Sequence, residues 1–218
     1  MSARSYVKRT PPRPSLSCSS AAFSGLRRKS HVPGLARGVC IAEERAVAKD
    51  DKPRLRAAPL DNPFRIVLVE PEIPQNTGNI ARLSAATRSP LHLVGRLGFR
   101  IDEKSVRRAG LDYWHLVELE QHLDLAHFSH RHPRARLRLF SAVANKSYLE
   151  ADYQPGDALV FGKESVGLDP EILDRHPDAV FGIPTLGPVR SLNLANAAAI
   201  VVYEALRQVG AFDVVAPG

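Results

Sequence analysis

The stretch Phe64-Arg65-Ile66-Val67-Leu68-Val69-Glu70-Pro71-Glu72-Ile73-Pro74-Gln75-Asn76-Thr77-Gly78-Asn79-Ile80-Ala81-Arg82 decides the fold. Its first six residues are mostly β-branched or aliphatic and read as a short strand; Pro71 to Thr77 reads as a loop, and a helix follows through about Thr87. With a helix start near Thr77, Asn76, Asn79 and Arg82 recur every third residue on one face, while Ile80, Leu83 and Thr87 line another. An amide then stands beside a guanidinium at a strand-to-helix junction, a combination suited to phosphate or ribose oxygens. A plainer reading is also open: Asn76 or Thr77 caps the helix and Arg82 pairs on the surface.

Outward from this unit the pattern repeats. Leu91 to Val94, Arg136 to Ala142, Ala158 to Phe161 and Ala179 to Ile183 read as short apolar strands, and Trp114 to Leu119 as an extended segment. Helices are expected at Asp102 to Gly110, Asp124 to His130, Asp169 to Arg175 and Leu194 to Val209. Strands alternating with helices predict an α/β fold with a mainly parallel sheet covered by helices. Such sheets bind ligands in the crevice beyond the carboxyl ends of their strands.

Two further strand ends carry polar residues that a core does not need. Phe161-Gly162-Lys163-Glu164-Ser165-Val166-Gly167-Leu168 follows a strand directly, and its glycines permit tight turns and close backbone approach to a ligand. It is not a phosphate-cradling P-loop, because Leu168 and Asp169 stand where Lys and Ser/Thr are required. Glu164 reads either as a site acid or as a solvated loop charge. In Ile183-Pro184-Thr185-Leu186-Gly187-Pro188-Val189-Arg190-Ser191-Leu192-Asn193-Leu194-Ala195-Asn196, a strand ends in a Gly-Pro turn and Ser191 or Asn193 caps the last helix. Capping explains one polar residue but not Arg190, Ser191, Asn193 and Asn196 together, which points to a binding loop.

The formal charge is +7 over 218 residues, yet residues 1–62 hold 13 Lys/Arg against 5 Asp/Glu, leaving 17 basic and 18 acidic residues beyond them. Any nucleic-acid surface on the folded part is therefore a local patch, for which the candidates are Arg96, Arg100, Lys104, Arg107 and Arg108, then Arg131, Arg134, Arg136 and Arg138. Residues 1–62, rich in Arg, Ser, Pro and Ala, are expected to be an unfolded leader. A transit peptide, a basic RNA-holding arm and a start upstream of the true one remain open for it. Both cysteines, Cys18 and Cys40, lie in this leader, so residues 63–218 offer no thiol for a disulfide, a nucleophile or a soft metal site. His127, His130 and His132 lack metal-protease spacing and read as a solvated basic helix end, so no metal is expected. No apolar run reaches the 18 to 20 or so residues that span a bilayer, and a soluble protein is expected.

Together, in this order and spacing, Glu70 to Arg82, Phe161 to Leu168 and Ile183 to Asn196 followed by Tyr203-Glu204-Ala205 resemble the three motifs of the SPOUT class of knotted RNA methyltransferases. Within that class they resemble the small tRNA (cytidine/uridine-34) 2′-O-methyltransferases. Arg107-Arg108-Ala109-Gly110-Leu111-Asp112-Tyr113 is family-like as well, and the likeness spans about residues 64 to 210. Asp169 departs from the pattern, standing where the family has Pro, and the stretch from Ala142 to Gly162 is short.

The resemblance implies a C-terminal trefoil knot, a homodimer and an enzyme that moves a methyl group from S-adenosylmethionine to the ribose 2′-hydroxyl of tRNA nucleotide 34, with the anticodon stem-loop as partner. By position it implies cofactor contacts at Ala142, Gly162, Ile183, Ser191, Leu192 and Asn193. It implies a catalytic Arg82, oriented by Asn79, and RNA contacts from Arg107, Arg108 and Arg190. Arg82 is expected to stabilise the developing alkoxide or to position a phosphate, because a guanidinium stays protonated at working pH. The cytoplasm is the expected location, or an organelle if the leader is a transit peptide. Alternatives are a 2′-O-methyltransferase of another tRNA position or of ribosomal RNA, and a non-catalytic RNA-binding assembly protein.

Overall fold

The computed structural model describes residues 55–99 and 114–217. Among the described residues, eight strands run in chain order: β1 (Leu55–Ala57), β2 (Arg65–Val69), β3 (Leu91–Val94), β4 (Leu119–His122), β5 (Leu137–Phe140), β6 (Ala158–Phe161), β7 (Val180–Phe181) and β8 (Val215–Pro217). The helices are α1 (Pro74–Thr87), α2 (Leu125–Arg131), α3 (Pro170–Arg175) and α4 (Leu194–Gln208). Strands β2 to β7 form one sheet in the order β4-β3-β2-β6-β5-β7, and every neighbouring pair is parallel. The α/β class with a parallel sheet expected from the alternation is therefore observed.

Both faces of the sheet are covered. Ile66, Leu68, Leu91, Leu93 and Leu159 point to one side and pack with Ile80 and Ala81 of α1 and Ala198, Val201, Val202 and Ala205 of α4. Their neighbours Val67, Val69, Val94 and Val160 point to the other, against Phe128 of α2 and Leu168, with Ile172 and Leu173 of α3 at the margin. The period of two along each strand places the same short runs in two cores at once, which is why β2, β3 and β6 read as continuous apolar runs.

Local differences from the sequence reading have physical causes. Helix α1 begins at Pro74, three residues before Thr77, with Ile73 as the N-cap and no side-chain cap; proline suits the first helical turn because its missing N–H has no intrahelical partner there. Trp114–Leu116 is a 3₁₀ turn, and the strand follows at Leu119-Glu120-Gln121-His122. That polar run escapes strand patterning because β4 is an edge strand, where charge is tolerated. β7 is only two residues long: Pro177–Ala179 is a 3₁₀ turn before it. Beyond it the pairing passes to the loop after β5, with Gly182 N donating to Lys146 O at 2.8 Å. Strand β1 lies inside the segment expected to be an unfolded leader and pairs antiparallel with β8, a partner from the far end of the chain that no local pattern reveals. The helix expected at Asp102 to Gly110 lies outside the described residues.

Of the second basic cluster, Arg136 and Arg138 are engaged within the fold. The Asp157 carboxylate, 3% exposed, takes Arg136 Nε at 2.8 Å and Arg138 Nε at 3.1 Å, and also accepts from Gln154 N at 3.0 Å. These two guanidiniums neutralise a buried charge beside β5 and β6.

Candidate active site at the carboxyl edge of the sheet

Strand order reverses between β2 and β6: the chain moves outward from β2 to β3 and β4, then returns to lay β6 against the other edge of β2. Leu68 registers with Phe161, so the segments after them, Glu70 to Arg82 and Gly162 to Leu168, emerge side by side. This is the switch-point crevice of a parallel sheet.

The two segments are tied together by their own polar side chains. Glu164 accepts from Glu72 N at 2.8 Å, Ile73 N at 3.2 Å and Asn76 Nδ2 at 2.9 Å. Its carboxylate thus holds the segment that enters α1 and a side chain of the first turn, near the end of the helix where the dipole favours negative charge. In return, Glu72 accepts from Ser165 N at 3.0 Å and Ser165 Oγ at 2.9 Å. Lys163 pairs with Glu70, and that hydrogen bond holds the Glu70 carboxyl below its usual range. Glu70 itself sits at φ 49°, a left-handed conformation that non-glycine residues adopt at a cost.

The third segment joins the same network. Asn193 caps α4 by accepting from Ala195 N at 2.9 Å, and its amide donates to Asn76 Oδ1 at 2.9 Å. Arg190 donates to Ser165 O at 3.2 Å. A chain Glu164–Asn76–Asn193 therefore connects three loops far apart in sequence. Asn76 is buried and spans the loops, while Asn79 and Arg82 stand exposed on α1. The shared face expected for all three residues is thus divided into a structural member and two that face outward. Glu164 is not a solvated loop charge; it is the clamp between the two segments. Glu164→Ala would leave two main-chain N–H groups and the Asn76 amide without their acceptor, and is expected to cost about 1–3 kcal/mol in urea unfolding.

The remaining candidates line the adjoining edge. Phe140 registers with both Phe161 and Phe181, so Ala142, Gly162 and Ile183 follow the ends of three neighbouring strands. Gly162 is held close by its own loop: a Cβ there would lie 2.2 Å from Gly167 C and Leu168 N. The loop closes through Lys163 N to Gly167 O at 3.1 Å and Gly167 N to Lys163 O at 2.9 Å, with Gly167 at φ 79°. The glycines expected to admit a ligand thus first admit the chain itself. Ser191 and Leu192 are exposed just before α4, and Arg107 and Arg108 lie outside the described residues.

This arrangement, a doubly covered parallel sheet with three loops locked together beyond the carboxyl ends of its strands, is that of the open α/β proteins whose ligands bind at the strand ends. The SpoU rRNA Methylase family matches residues 63–203, and the chain belongs to that family. It is 47% identical over 148 residues to the tRNA (cytidine(34)-2′-O)-methyltransferase of Saccharophagus degradans, covering 67% of this chain and 96% of that one. It is 44% identical over 148 residues to the tRNA (cytidine(34)-2′-O)-methyltransferase of Escherichia coli K12, covering 67% and 94%. A solved structure described as structural insights into the 2-OH methylation of C/U34 on tRNA matches with a TM-score of 0.64 and 48% identity, over 68% of this chain and 97% of that one.

Proposed function

We propose that this protein transfers a methyl group from S-adenosylmethionine to the ribose 2′-hydroxyl of nucleotide 34, a cytidine or uridine, of tRNA. The observation that carries the reading is the 44–47% identity that extends over 94–96% of the length of two tRNA (cytidine(34)-2′-O)-methyltransferases. SpoU-family methyltransferases use S-adenosylmethionine, which supplies a methyl group already activated on a sulfonium. The chain's task is then mainly to align the ribose oxygen and to favour loss of its proton.

Ala142, Gly162, Ile183, Ser191, Leu192 and Asn193 suit that cofactor: three neighbouring strand ends offer main-chain groups for its polar atoms, and these side chains are uncharged, so none repels a sulfonium. Arg82, with Asn79 three residues before it on α1, is assigned to the ribose oxygen and the charge that develops on it. Arg190, with Arg107 and Arg108, is assigned to RNA phosphates.

Residues 63–218 are assigned as the methyltransferase domain, with the C-terminal trefoil knot that the likeness to the SPOUT class implies. A homodimer is supported by the exposed stripe Asn196, Ile200, Tyr203 and Arg207 along α4, in which apolar side chains face outward. Among the described residues no helix is long and apolar enough to cross a membrane, and the cytoplasm is assigned as the site of action, with an organelle as the alternative if residues 1–62 are a transit peptide. To test the reaction, total RNA is incubated with the protein and methyl-labelled cofactor, then fractionated. Label in tRNA is expected; label in ribosomal RNA alone, or none with cofactor bound, contradicts the reading.

A further inference from the structure

We propose that His92, His122, His132 and Glu120 form a binding site for a divalent transition metal, with Zn²⁺ the ion that best suits the donors. The sequence shows only His132, in a run of histidines whose spacing matches no metal motif. The sheet supplies the rest: His92 registers with Glu120 and Val94 with His122 in the parallel pair β3–β4, so all three donors point to the face covered by α2. His132 follows that helix as its C-cap.

The donor atoms converge. His92 Nδ1 lies 3.1 Å from His122 Nε2, and His132 Nε2 lies 3.2 Å from Glu120 Oε2. His122 Nε2 and His92 Nδ1 lie 3.6 and 3.9 Å from the same oxygen, and all four ligand atoms fall within 4.8 Å of one another. Zinc–nitrogen and zinc–oxygen bonds of roughly 2.0–2.1 Å place tetrahedral donors roughly 3.3 Å apart, so small side-chain rotations suffice to close the four atoms on one ion. Three imidazoles and a carboxylate are a borderline-hard donor set that favours zinc over Mg²⁺ or Ca²⁺.

The surroundings are those of a closed structural site. His92 and His122 are buried, whereas His132 and Glu120, with side chains 18% and 35% exposed, give an ion its way in and can adjust to it. The Phe128 ring packs against His92, His122 and His132 at 5.1, 5.2 and 5.0 Å. His127, whose ring also touches His122, has its Nδ1 engaged by Leu123 N and is not a ligand. The cluster joins β3, the edge strand β4 and the end of α2, on the side of the sheet away from β5, β6 and β7. An ion there would pin an edge strand rather than take part in methyl transfer. The rival occupant is protons: one shared by His92 and His122 and one by His132 and Glu120 leave a hydrogen-bonded network that needs no metal.

The test uses the full-length protein without a chelating tag, stripped with EDTA and titrated with Zn²⁺ in a calorimeter, then with Co²⁺ as an optical probe. One saturable equivalent is expected, with the intense visible bands of four-coordinate Co²⁺ and a rise in Tm on adding Zn²⁺. Cys18, Cys40 and His31 in the N-terminal segment offer donors of their own, so assignment rests on the partly exposed ligands. His132→Ala and Glu120→Ala, each confirmed folded by circular dichroism, are each expected to weaken Zn²⁺ binding at least tenfold and to abolish the Co²⁺ bands. Absence of saturable uptake by the unaltered protein, or uptake that both variants retain, overturns the proposal in favour of the proton network.

Discussion

Arg82→Ala is expected to lower methyl transfer to tRNA by roughly a hundredfold or more while affinity for S-adenosylmethionine stays within about threefold, the magnitude associated with losing one preorganised donor to a developing oxyanion. Arg82 stands exposed on α1, and that helix is fixed at its N-terminus by Glu164 and through Asn76 to Asn193. The backbone that carries Arg82 is therefore held in register with the loops assigned to the cofactor. The contribution of its guanidinium is positive charge in the right place. Arg82→Lys keeps the charge but loses the planar fork, so partial activity is expected. A purely structural role for Arg82 would lower Tm and cofactor affinity together, and unchanged turnover would remove it from the mechanism. Single-turnover rates and cofactor titrations on both variants separate these outcomes.

The second large effect is expected at Gly162. A methyl group there would meet main-chain atoms of Gly167 and Leu168 at 2.2 Å, and neither can yield without opening the loop that Lys163 and Gly167 close on each other. Gly162→Ala is expected to displace residues 163–167, release the Glu164 clamp from α1 and weaken S-adenosylmethionine binding by roughly a hundredfold or more, which corresponds to about 2.7 kcal/mol. The parallel sheet should survive, since Gly162 lies just beyond β6. Calorimetry with the cofactor, beside far-ultraviolet circular dichroism, reads the two consequences separately. Undiminished cofactor binding would show that the tight loop is not part of the site.

What the sequence makes legible follows the range of the forces involved. β2 and α4 carry their own evidence: a buried β-branched run and a period of 3.6 need no distant partner, and the strand expected at Phe64 to Val69 and the helix at Leu194 to Val209 appear within a residue of their bounds. The same holds for the strand-end position of the three loops, which follows from alternation alone. What stays hidden depends on contacts across the sheet. Glu164 looks like an ordinary loop charge until β6 is laid against β2 and brings it to an uncapped helix. Asn76 looks like one of three equivalent polar residues until burial selects it for the bridge to Asn193. Arg136 and Arg138 give no local sign of the buried carboxylate they share until the sheet places Asp157 between them. His92 and His122 sit in strands with no local mark of a shared role, and only the β3–β4 register brings them together. The start of α1 is obscure for a different reason: its N-cap, Ile73, has no capping side chain, so that signal is absent from the local sequence.

The measurement that bears most directly on the proposed reaction is the position of the methyl group on tRNA. Unmodified tRNA incubated with the protein and S-adenosylmethionine is end-labelled and partially hydrolysed in alkali, which cleaves only where a free 2′-hydroxyl can attack the adjoining phosphate. A single gap in the ladder at nucleotide 34, absent without cofactor and with Arg82→Ala, is the expected result. An unbroken ladder through nucleotide 34, with the methyl group on a base or at another ribose, would contradict it.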